Sequence, residues 1–176
     1  MKLFIPIFCF FVLLLSSCQR DTDAKPTIPP LTTTGQNTLG CYLNDTLMIG
    51  KKNNVPNETM GSYFEGDHSF GLVRDNLLDD KQAIFLKTFI THGKGKYKIY
   101  RSKSAGEWTF VNQKFASIYP CSIYDLDTTK TNYIDVIRFD TLNKIASAKF
   151  EMTVCNPCND TIRITEGRFD VKYRKN

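Results

Sequence analysis

Residues 155 to 160 read Cys-Asn-Pro-Cys-Asn-Asp, and two thiols three positions apart are what a disulfide oxidoreductase uses. Such chemistry needs a thiolate stabilised at a helix N-terminus within a βαβ unit. A zinc centre needs four convergent ligands, and neither histidine, His68 or His92, lies at a ligand spacing. The third reading is a structural bridge. Asn156-Pro157 suits the centre of a hairpin turn, and the ends of such a turn approach within about 7 Å, close enough to bridge. The sequence around the motif reads as strand on both sides, so the bridge is the reading adopted, with zinc and redox chemistry as alternatives.

Cys41 and Cys121 are the other two cysteines of the body. Four cysteines allow three pairings, and an even number outside the cytoplasm favours disulfides. Sequence alone does not choose among the three; the pairing expected here is Cys155 with Cys158 and Cys41 with Cys121.

The remaining candidates each have a plain structural reading. His68 beside Asp67 and His92 in Thr-His-Gly-Lys sit at strand ends, without a Gly-x-Ser-x-Gly elbow, a His-Glu-x-x-His pair or a phosphate-binding Gly loop. Asp125 and Asp127 offer calcium two oxygens where six or more are needed. No catalytic residue, metal or cofactor is therefore assigned. Lys94, Lys96 and Lys98, followed by Arg101 and Lys103, form the one basic cluster, with the three lysines on a single strand face. Such a row either binds a polyanion such as surface polysaccharide or protects an exposed edge strand from pairing, and the edge reading is preferred. Trp108, Tyr97, Tyr100 and Phe110 suit a sugar site or, more simply, a core.

The elements that position these residues are strands. Ala146, Ala148, Phe150, Met152 and Val154 alternate with Ser147, Lys149, Glu151 and Thr153, the pattern of a half-buried strand. Similar patterning places strands near 40–49, 62–73, 83–91, 96–101, 107–119, 132–139, 144–154 and 160–174, with a short helical turn within 75–82. Ile162 and Ile164 hold even positions, whereas Phe169, Val171 and Tyr173 hold odd ones. That parity switch across Glu166-Gly167 predicts a β-bulge, with a tight turn at 165–168 as the alternative. About eight strands and short turns give an all-β fold, a single antiparallel sandwich or barrel-like domain.

The chain opens with Lys2 and then an uncharged, mostly apolar run from Leu3 to Leu15 before Ser16-Ser17-Cys18. The run is shorter than the roughly 20 residues a membrane span needs and has the layout of a secretory leader. Leu15-Ser16-Ser17-Cys18 resembles a bacterial lipobox, which implies cleavage before Cys18 and lipidation of its sulfur. Two or more acyl chains hold a protein stably on a bilayer. Gln19 after the cysteine favours the outer membrane over inner-membrane retention, on either the surface-exposed or the periplasmic face. Proline and threonine then dominate Lys25 to Gln36, the composition of a flexible tether. The expected organisation is a signal peptide at 1–17, lipidated Cys18 and tether at 18–37, and a β-domain at 38–176. Loss of Lys2 with the leader lowers the net charge from +5 to +4, too mild to imply a nucleic-acid partner.

Three segments, Asn37-Thr38-Leu39-Gly40-Cys41 with Asn44, Arg138-Phe139-Asp140 to Phe150-Glu151, and Ile162 to Tyr173, resemble those of an uncharacterised family of small bacterial outer-membrane lipoproteins. Members usually carry Gly after the first Asn, where this chain has Asp45. The resemblance implies an all-β lipoprotein and brings no substrate or catalytic residue. The expectation is a lipid-anchored envelope protein whose β-domain binds a ligand, an envelope protein or a glycan without catalysis. A small envelope hydrolase and a barrel carrying an apolar molecule are the alternatives.

Overall fold

The computed structural model describes residues 27–49, 60–77, 82–101, 110–112 and 121–176. The leader, Cys18, Trp108 and most of the strand expected over 107–119 lie outside them. The described residues form eleven strands and no helix: β1 (Thr38–Leu43), β2 (Thr46–Ile49), β3 (Met60–Phe64), β4 (Ser69–Leu77), β5 (Gln82–Phe89), β6 (Gly95–Lys98), β7 (Phe110–Asn112), β8 (Ile123–Leu126), β9 (Tyr133–Asp140), β10 (Ile145–Cys155) and β11 (Thr161–Lys175).

The two longest strands, β10 and β11, make an antiparallel hairpin from Ile145↔Lys172 to Cys155↔Thr161. β9 and then β6 extend the sheet beyond β10, while β1 and then β2 extend it beyond β11. The remaining strands curl the sheet round. The C-terminal residues of β11, Tyr173 to Lys175, pair with Gly61 to Tyr63 of β3, and β4, β5, β7 and β8 follow in turn. β8 then returns to β10 through Val154↔Leu126 and Cys155↔Asp125. The pairings thus run round a circuit, and the architecture is all-β and barrel-like, as the period-two patterning implied. The β11–β3 pair is parallel, a departure from a purely antiparallel sheet.

Burial follows the alternation. Ala146, Ala148, Phe150, Met152 and Val154 of β10 and Phe169, Val171 and Tyr173 of β11 all lie in one hydrophobic core. Tyr124, Phe70, Phe150, Phe169, Leu39 and Met48 are each below 2 % exposed and fill the interior. Phe70 stacks on Phe169 at 5.9 Å between centroids, and Tyr63 meets Phe139 edge-on at 4.9 Å. Full burial of each large apolar side chain contributes about 1.5–3 kcal/mol.

The strand count differs from expectation for local reasons. The stretch 40–49 is two strands joined by Asn44-Asp45, whose φ angles of 44° and 67° are those of a two-residue type I′ hairpin. Asp45 therefore does what glycine does at this position. Glu65 to His68 likewise turn the chain between β3 and β4, where one strand was expected over 62–73. Asp75 to Leu77 are strand, not helical turn, and 78–81 lie outside the described residues.

β11 is continuous through Glu166-Gly167, so the bulge and not the tight turn accounts for the parity switch. Phe150 faces Gly167 and Met152 faces Ile164, leaving Thr165 and Glu166 opposite Glu151 alone. Glu166 takes a φ of 49°. Gly167 is required by close approach: a Cβ there would fall 2.5–2.7 Å from three ring atoms of Phe150.

Candidate functional site

The register stacks charged side chains across the outer face of the central sheet. Lys96 of β6 sits opposite Asp135 of β9, Asp135 opposite Lys149 of β10, and Lys149 opposite Arg168 of β11. The next row holds Lys98, Tyr133 and Glu151 in the same order. These rows border a shallow groove of about 280 Å³ lined by Tyr133, Asp135, Lys149, Glu151, Glu166 and Arg168. The Lys96 ammonium lies 3.5 Å from the centre of the Tyr133 ring, a cation–π contact. Desolvation first, with the nearby Glu151 and Asp135 carboxylates, raises the Tyr133 phenol, so its hydroxyl stays protonated and can donate. The Arg168 Nε is buried without a hydrogen-bond partner, while its Nη2 reaches Glu166 at 3.8 Å. A face offering cations, carboxylates, a phenol and an unsatisfied guanidinium N–H suits a polar ligand with both donors and acceptors.

Next to this groove lies a feature that composition concealed. The chain read as tether up to Asn37 is seated on the outer face from Pro29 onward. Asp170 of β11 and Ser147 of β10 point away from the core, yet both are 0 % exposed, because Thr32 to Gln36 cover them. One Asp170 carboxylate accepts hydrogen bonds from the hydroxyls of Thr32 (2.6 Å) and Ser147 (2.6 Å) and from the amides of Thr34 (3.0 Å), Gly35 (2.9 Å) and Gln36 (3.2 Å). Consecutive amides converging on an anion form a nest. Burial alone would raise the Asp170 carboxyl, but the Ser147 and Thr32 hydroxyls and the Gly35 and Gln36 amides together hold it below the usual carboxylate range. From the other side Arg138 donates to the Thr33 carbonyl at 2.6 Å and bonds Asp140 at 2.6 Å. Gly35 is obligatory here: its φ is 75°, and a Cβ would fall 2.7 Å from Lys172 Cγ.

The segments around Thr38–Gly40, Arg138–Glu151 and Ile162–Tyr173 converge on this place. β1 pairs with β11 through Thr38↔Asp170, Leu39↔Phe169 and Gly40↔Arg168, and β9 and β10 complete the sheet beside them. Asn37 accepts the Lys172 amide at 2.9 Å, and Pro29 packs against Gly40 so closely that a Cβ would meet it at 2.6 Å. A second cleft, of about 520 Å³, opens beside Thr33, Arg138 and Asp140, with Lys94 and Leu142 at its rim.

The cysteines correct the expected pairing. The bridge joins Cys121 to Cys158, with 5.5 Å between their Cα atoms, and leaves Cys41 and Cys155 as free thiols. Cys155 ends β10 as expected, but Cys158 does not flank the turn: the hairpin loop runs from Asn156 to Asp160, and Cys158 lies at its middle. Asn156 closes that loop by accepting the Cys158 and Asp160 amides on Oδ1, and its Nδ2 donates to the Cys121 carbonyl. Cys158 is thereby brought to Cys121 at the start of β8, while Cys155 remains in the strand ladder opposite Thr161. Cys41 is fully buried on β1, away from such a partner, and burial pushes its thiol up to about 12. Desolvation first, then Asp127 and Asp125, raise the Cys155 thiol too, the opposite of what a redox thiol requires.

The basic cluster occupies an edge. β6 ends the strand order, and Lys96 and Lys98 are exposed on it, with Lys94 in the bend before it. The four expected polyanion ligands do not form one free cationic row, since Lys96 engages Tyr133 and Arg101 makes an ion pair with Asp125. Asp127 bonds the Thr129 amide and hydroxyl. His68 is exposed and bonded to the Tyr63 hydroxyl at 2.9 Å, while Asp67 turns to the Ser69 amide. His92 is exposed in its turn. Among the described residues no three His, Cys, Asp or Glu side chains are grouped to hold a metal. Sequence reasoning missed Asp170, whose flanking Arg168 and Lys172 make it look like one more solvent-facing polar residue of a strand. No family model, curated protein or solved structure matches the chain.

Proposed function

We propose that the protein is a lipid-anchored component of the cell envelope, held at the outer membrane through Cys18, whose barrel-like domain binds a polar partner without catalysing a reaction. The observation that carries the binding half is the outer-face groove lined by Asp135, Lys149 and Arg168 beside Tyr133, with Lys96 continuing their cross-strand row outside it. A glycan or a charged peptide segment of another envelope protein offers the matching donors and acceptors. Leu15-Ser16-Ser17-Cys18 supports the anchor, and the Cys121–Cys158 bridge supports an oxidising compartment. The family resemblance of β1, β9–β10 and β11 supports the same address.

The two alternatives have less behind them. A hydrolase would use His68 or His92, and both are exposed, with His68 bonded to a phenol. An apolar carrier would need interior space, and among the described residues bulky side chains such as Phe70, Phe150, Phe169 and Tyr124 occupy the core. The test has two arms. Mass spectrometry of the mature N-terminal peptide from native membranes should find acylated Cys18, and an unmodified cysteine there would end the anchoring claim. A screen of envelope glycans and peptides should yield a ligand whose binding weakens by about tenfold in Arg168→Ala, the effect of losing one charged hydrogen bond. Ligands found that are indifferent to Lys149→Ala and Arg168→Ala would refute the groove.

A further inference from the structure

We propose that Thr32 to Gln36 are a releasable latch, with Asp170 as its receptor, that gives the domain two distances from the membrane carrying its anchor. Most of the hydrogen bonds that hold the latch end on one carboxylate. Three consecutive amides and the Thr32 hydroxyl end on Asp170, and the Arg138 bond to the Thr33 carbonyl grips the same five residues from the opposite side. Interactions sharing a single acceptor are lost together, so the segment opens as a unit. It lies on the outside of the sheet, and the core beneath it is built from Phe169, Val171, Ala146 and Ala148, which belong to strands paired independently of it. The barrel can therefore persist while the latch is open.

The consequence is a change in reach. With the latch closed Pro29 packs on Gly40, and the ten residues between Cys18 and Pro29 could span about 35 Å at most. Release of the latch together with Pro29 moves the point of attachment to Asn37, and the eighteen residues between Cys18 and Asn37 could span about 60 Å at most. The latch itself is independent of lipidation; the two distances rest on the Cys18 anchor proposed above.

The test uses the mature full-length protein in detergent and then on a supported bilayer. Hydrogen exchange should show peptides over 27–37 protected in the native protein. Asp170→Asn, which removes the anionic receptor, and Gly35→Ala, which spoils the nest without touching Asp170, should each speed exchange there by about tenfold or more, as expected of local opening, with β10 and β11 unchanged. Neutron reflectometry should place the domain farther from the bilayer in both variants. Free exchange of 27–37 in the native protein, undiminished protection in both variants, or joint exchange of the latch with β10 and β11 overturns the latch. Unchanged standoff in a variant whose latch exchanges freely overturns the two distances. Failure of the protein to bind the bilayer at all strikes the anchor alone and leaves the exchange result standing.

Discussion

Removing the Cys121–Cys158 bridge should lower stability far more than removing Cys155. The bridge joins residues 37 apart. In the loop-entropy description, closing a loop of that size stabilises the native state by about 4 kcal/mol, whereas the four-residue ring of a Cys155–Cys158 bridge would contribute about 2 kcal/mol. The bridge also fastens the β10–β11 hairpin loop to the turn just before β8, whose far end, Asp125 and Leu126, returns the circuit of pairings to β10. With a urea m-value of about 2 kcal/mol/M for a domain of this size, Cys121→Ser/Cys158→Ser should move the unfolding midpoint down by about 2 M. Cys155→Ser replaces a half-buried free thiol and should shift it by a few tenths molar. Urea titrations of the three proteins, with peptide mapping under non-reducing conditions to identify the linked pair, decide the matter. Equal destabilisation by Cys155→Ser and by the double variant, or a mapped Cys155–Cys158 peptide, would refute the pairing.

Other outcomes follow from single residues. Gly167→Ala should cost about 1–3 kcal/mol by overpacking, read by thermal unfolding, because the fully buried Phe150 ring has nowhere to retreat. The native Asp170 carboxyl is held below its unfolded value of about 3.9, so its contribution is present above that pH and disappears as pH falls through the native value. The stability difference between the native protein and Asp170→Asn should accordingly be flat from pH 5 to 8 and shrink in acid. The cations sharing that outer face are Arg138, Lys149, Arg168 and Lys172. A thiol reagent at neutral pH should leave Cys41 unlabelled until the protein unfolds, since burial pushes that thiol up to about 12, with Cys155 the faster of the two.

The sequence made legible whatever repeats every two residues. β10 and both halves of β11 could be read with their faces, and even the bulge between those halves announced itself through the change of parity at Gly167. β8 escaped because it is four residues long and only Tyr124 and Leu126 mark its buried side, too few to separate from chance. The latch escaped for a different reason. Its bonds use backbone amides, which every composition supplies, so a proline- and threonine-rich stretch looked solvated although Asp170 was waiting 135 residues away from Gly35. Disulfide connectivity escaped because it depends on how a five-residue loop projects Cys158, and spacing does not encode direction.

β11 pairs with β10, β1 and β3, so every route round the sheet passes through the last fifteen residues before Asn176. A chain exported amino end first would present ten strands before the one that joins them. Folding of this domain is accordingly a late event: β1 and β3 must wait with open edges until Thr161 to Lys175 are in place, and long-range pairing of this kind is slow and exposes sticky edges meanwhile. Loss of even Tyr173 to Lys175 would leave β3 without its partner strand in β11, so a deletion there would be felt more than a hundred residues earlier, at Gly61 to Tyr63.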